Sequence, residues 1–139
     1  MPDTFSVLTL ELARAYGVGI LVTALAAIAG PARFAVVIAD FARSPGLTFL
    51  GAMLALILGI GMVMLHNLWT DLTAVLVSLI GWAVFAKGVL VLAAPEGLMK
   101  LAVAVTTPPG RMRIWGAIML VLAAVFLALG IGGHANPGV

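Results

Sequence analysis

Lys87 stands inside a long apolar run, Leu72 to Ala94, that carries no other charge. An ammonium at a helix centre costs about 2.5–3.5 kcal/mol on insertion scales, so it must find water, a partner or the membrane surface. It lies about four residues past the middle of the run, or ~6 Å along a helix, and its long stem can snorkel toward the headgroups. Snorkelling or an anionic-lipid contact is the leading reading, ahead of a structural pair inside a bundle and of an ion or proton path. Glu11 and Arg14 are three residues apart and can meet on one helix face. A cation one turn away would hold the carboxylate ionised and occupied, which favours a structural pair over proton-coupled transport.

His66-Asn67-Leu68-Trp69-Thr70-Asp71 is the densest polar cluster. Asp71 is placed to cap a helix beginning at Leu72, Asn67 to cap the neighbouring helix end, and Trp69 to sit in the aromatic belt of a membrane. His66 could join His134 in holding a metal or a haem, but two histidines with no supporting pattern around them carry little weight. Capping and anchoring are the favoured roles. The sequence has no phosphate loop, serine triad or paired carboxylates, and its five acids are scattered. An enzyme is not expected, and neither is a cofactor.

Composition says which elements must position these residues. The 139 residues are 64% hydrophobic and 9% charged, with mean hydropathy +1.28, against about 45–50% apolar and about 25% charged in soluble domains. So short a chain could not bury that much apolar surface in one aqueous core. Its net charge of +2 is too weak and scattered for a nucleic-acid surface. The absence of cysteine excludes disulfides and thiol chemistry.

A spanning helix needs roughly 17–25 apolar residues, and four segments qualify: Leu12 to Gly30, Leu47 to Leu65, Leu72 to Ala94, and Ile114 to Gly133. Continuous apolar runs indicate helices and not barrel strands. Acidic Asp3 and Glu11 precede the first run, so it reads as a retained span and not a signal peptide. Between spans one and two, Phe34, Val37, Ile38 and Phe41 share one helical face and Arg33, Asp40 and Arg43 the other, which predicts an amphipathic surface helix. A similar element follows span three, with Glu96 and Lys100 paired and Leu98, Leu101, Ala102 and Val105 as its apolar side. Arg33, Arg43, Lys100, Arg111 and Arg113 all fall on one side, where they could contact lipid or a partner. The positive-inside rule makes that side cytoplasmic and both termini periplasmic. Gly51, Gly59, Gly61, Gly81, Gly88 and Gly116 suit close helix packing.

The halves match at an offset of 64 residues: Gly17 with Gly81, Pro31 with Pro95, Pro45 with Pro109, Gly46 with Gly110. The expected fold is therefore all-α, a single polytopic membrane domain over 1–139. It would hold four transmembrane helices in two parallel repeats, about 11–66 and 72–133, each with a short cytoplasmic amphipathic helix.

The second unit, Val91-Leu-Ala-Ala-Pro-Glu-Gly-Leu-Met-Lys100 through Pro108-Pro-Gly-Arg-Met-Arg-Ile-Trp-Gly-Ala117, resembles the small YjeT-type bacterial inner-membrane proteins. The whole chain, with His66-Asn67-Leu68-Trp69, Gly81-Trp82 and Lys87-Gly88, is also similar to a group of four-span bacterial membrane proteins of unassigned role. A first-span Glu resembles that of the small multidrug-resistance transporters, although Glu11 lies near the surface with Arg14 beside it. The resemblance implies a bacterial inner-membrane location and this architecture, and no activity. The expectation is a non-enzymatic accessory, scaffold or assembly subunit, whose partners are membrane lipids and either other membrane proteins or further copies of itself. A small oligomeric transporter or channel using Lys87 and Glu11, and a lipid or membrane-stress sensor, are the alternatives.

Overall fold

Proline sets the architecture. Pro31, Pro45, Pro95 and Pro109 each open a helix, because proline lacks the N–H that would continue the preceding helix while its fixed φ suits a first turn. Each also biases the residue before it away from helical dihedrals. Gly30 (φ −133°, ψ 60°) and Ala94 (φ −139°, ψ 61°) break the chain in nearly the same way. Ser44 and Pro108 are both extended.

The structure, a computed structural model, describes residues 4–133. They form six helices: α1 (Thr4–Ala29), α2 (Pro31–Arg43), α3 (Pro45–Leu65), α4 (Leu72–Ala93), α5 (Pro95–Thr106) and α6 (Pro109–Gly132). Four of them, α1, α3, α4 and α6, are long and apolar enough to cross a membrane. The ends of α1 and α4, and the starts of α2 and α5 and of α3 and α6, each recur 64 residues apart. Two boundaries differ from expectation. α1 begins at Thr4, and its apolar stretch Val7–Ala29 takes in Glu11 as well as Arg14, the latter expected inside the span. α6 begins at Pro109, so Arg111 and Arg113 lie in its opening turns and not in a loop. In both cases polar residues join a helix that hydropathy alone would start later.

The spans pair as α1 with α6 and α3 with α4, and α2 packs on α5. Inside a bilayer no hydrophobic force draws helices together, so small residues that let backbones approach decide the seams. A Cβ on Gly88 would meet the backbone of Leu56, and one on Gly59 would overlap the backbone of Phe85. Gly81 abuts Met62, Gly116 abuts Ile28, and Gly17 abuts Leu127. Gly51 lies against the ring of Phe41, whereas Gly61 faces open space and packs nothing. The two pairs join through a small core of Ala13, Val77 and Phe126, all fully buried, with Tyr16 meeting Phe126 edge to face at 6.2 Å.

The short helices lean on each other. On α2, Phe34 and Ile38 are half-buried while Val37 and Phe41 stay exposed beside Arg33, Asp40 and Arg43. On α5, Leu98, Ala102 and Val105 are half-buried, but Leu101 is exposed, and Glu96 and Lys100 form no ion pair. α5 buries no residue completely.

Candidate functional site

His66 follows the last turn of α3, yet it is 1% exposed. Its Nε2 lies 2.8 Å from Thr9 Oγ1 of α1 and its Nδ1 lies 3.1 Å from Ser78 Oγ of α4. Ser78 Oγ accepts from Leu68 N–H at 3.1 Å and donates to the Leu68 carbonyl at 2.8 Å. Its remaining lone pair then suits an Nδ1–H donor, which assigns Nε2 as acceptor of the Thr9 hydroxyl in a neutral imidazole. Burial lowers the His66 pKa below the ordinary histidine value, outweighing a backbone hydrogen bond and the negative charge of Asp71, which act the other way. The cluster ties the α1/α6 pair to the α3/α4 pair, and both ring nitrogens of His66 are occupied by it. His134, its suggested partner, lies outside the described residues. Among the described residues no three metal-binding side chains gather.

Arg14 acts within the α1/α6 pair. Its Nε donates to the Gly130 carbonyl at 2.8 Å and its guanidinium meets Glu11 Oε1 at 2.8 Å. That carbonyl belongs to the last turn of α6, where helical partners run out and a cation also suits the helix dipole. Ser78 stands 64 residues after Arg14 and lies 3.4 Å from the His66 carbonyl, itself 64 residues before that of Gly130. Glu11 and Arg14 are thus the expected structural pair, with side chains 61% and 43% exposed.

Asn67 has another role than capping. Its Oδ1 accepts Trp69 Nε1 at 2.9 Å and Trp82 Nε1 at 3.4 Å, gathering two indoles at one end of the bundle. Asp71 caps α4 as expected, accepting from Ala74 N at 2.8 Å. At the other end, Arg33, Arg43, Lys100, Arg111 and Arg113 are exposed, and Arg111 also donates to the Ala104 carbonyl at 3.1 Å.

Lys87 is exposed and makes no hydrogen bond or ion pair among the described residues. It lines a small cavity of about 100 Å³ between α2, α3 and α4, with Phe41, Thr48, Gly51, Ala52, Ala55 and Val91. Above it, where α2 meets α3 and α4 meets α5, a cleft of about 410 Å³ shares Thr48 and Val91 with it.

Two contributors, Thr9 and Ser78, are not distinguishable by sequence reasoning. A hydroxyl in a membrane helix ordinarily bonds back to its own helix, as Thr23 does to the Gly19 carbonyl and Thr106 to that of Ala102. Contacts with the segment that follows α3 set Thr9 and Ser78 apart: both meet the His66 ring, and Ser78 also bonds to Leu68. A comparison with models of protein families, with curated proteins and with solved structures finds no match to the chain.

Proposed function

We propose that this is a non-enzymatic integral membrane protein of the bacterial inner membrane, an accessory, scaffold or assembly subunit of a larger complex. The observation that carries the reading is how little of each span the fold uses: between 17% and 28% of its most apolar stretch is buried. The remaining surface is left to lipid, to other membrane proteins or to further copies of the chain. The polar groups that are buried serve to hold helices together. Matched helix bounds and matched breaks at Gly30 and Ala94 support two parallel repeats in the manner of a duplicated YjeT-type unit. Because α2 packs on α5, the basic residues on them and at the start of α6 gather at one end of the bundle. The positive-inside rule makes that end cytoplasmic and the termini periplasmic.

The competing reading, a small transporter or channel, would need Lys87 and Glu11 on one pathway. Ala13 and Val77 share one core level, which sets Lys87 and Glu11 about twelve residues, or ~18 Å, apart along the bundle. Extraction into copolymer discs followed by native mass spectrometry tests the assignment. A stoichiometric protein assembly is expected, and a chain recovered only at its monomer mass would overturn it.

A further inference from the structure

We infer that the groove between the two hinges is a binding site for a phospholipid with a primary-amine headgroup. The groove begins in the 410 Å³ cleft, with Ala42, Pro45 and Phe49 on one wall and Leu92, Pro95 and Met99 on the other. A second, inner cavity adjoins it, sharing Thr48 and Val91, and is lined by Lys87. Apart from Thr48, whose hydroxyl is spent on the Phe41 carbonyl, the groove's walls are largely apolar, and two charges line it: Lys87 in the inner part and Glu96 in the outer.

The order of those charges identifies the ligand. Lys87 is six residues before the end of α4 at Ala93, so its Cα sits ~9 Å inside the helix end, and its stem brings the ammonium back toward the headgroups. Glu96 lies beyond that end, in the first turn of α5. A phospholipid entering with its acyl chains inward presents its phosphate first and its headgroup amine farther out. Phosphate thus meets Lys87 and ammonium meets Glu96. A purely anionic headgroup would satisfy Lys87 but confront Glu96, and a quaternary amine could not donate a hydrogen bond to the carboxylate.

The hinge requires neither charge. At the 64-residue offset, Lys87 corresponds to Thr23 and Glu96 to Ala32, and the α1–α2 hinge takes the same course as the α4–α5 hinge without them. Neither makes an ion pair in the structure.

The test is native mass spectrometry of the full-length protein taken from bilayers containing equal phosphatidylethanolamine, phosphatidylglycerol and phosphatidylcholine. Retention of the ethanolamine lipid about tenfold above the others is expected, matching the loss of one charge-assisted hydrogen bond. Lys87→Met should abolish retention of all three, and Lys87→Arg should restore it. Glu96→Gln, an exposed change that does not threaten folding, should erase the discrimination against phosphatidylglycerol. Equal retention of the three lipids, a preference for phosphatidylglycerol in the unmodified protein, or indifference to Glu96→Gln would each overturn the proposal.

Discussion

Replacing Gly88 by alanine is expected to weaken the α3–α4 pair more than any change of one methyl group on an outer face. The added Cβ would stand 2.6 Å from Leu56 N, 2.8 Å from its Cα and 3.0 Å from its Cβ, whereas ordinary contact begins at 3.4 Å. The helices must therefore part by about 0.8 Å, the difference between 3.4 and 2.6 Å, because backbone cannot swing aside. A gap of 0.5–1 Å forfeits about a quarter to a half of each contact's dispersion energy, and in lipid packing is what holds the pair. Overpacking of this kind costs about 1–3 kcal/mol. Gly61→Ala is the control: its Cβ meets nothing within 4 Å, and alanine favours the helix, so stability should hold or rise. The assay is unfolding in mixed micelles by titration with SDS, followed by tryptophan fluorescence. Equal unfolding free energies for Gly88→Ala and the unmodified protein, or equal destabilisation by Gly61→Ala, would refute this account of the seam.

Three further outcomes are expected. His66→Ala removes one hydrogen bond each from Thr9 and Ser78 and opens a void at a buried position, which should cost about 1–3 kcal/mol. Because burial lowers the His66 pKa, the unfolded chain binds the proton more readily, so stability is whole above about pH 6.5 and declines as pH falls through the lower folded value. Unfolding midpoints measured across that range should lose this step in His66→Ala. Arg14→Met removes the donor to the Gly130 carbonyl, at about 0.5–1.5 kcal/mol, and hydrogen exchange should quicken in the last turn of α6. Unchanged protection there would show that the bond contributes nothing.

Much of the frame is written locally. Four apolar runs, the prolines that divide them and Asp71 before Leu72 act within a few residues of themselves, so spans, breaks and the α4 cap can be read along the chain. The starts of α1 and α6 could not, because helices extend through polar residues once a neighbour packs beside them: Leu10 lies against Gly133, and Met112 is buried in the opening of α6. The same limit applies to the faces of α5, where Leu101 points away and the expected Glu96–Lys100 pair is open.

Composition and hydropathy by themselves determined that this chain is built for a membrane and that Lys87 needs an explanation. Which span pairs with which, that His66 is enclosed by Thr9 and Ser78, and that Lys87 and Glu96 line adjoining cavities were decided only by the tertiary structure. The physical reason is range. Solvent transfer and proline geometry are properties of a residue and its neighbours, whereas seams depend on small residues such as Gly59 and Gly88 meeting backbone that is distant in sequence and chosen by fit.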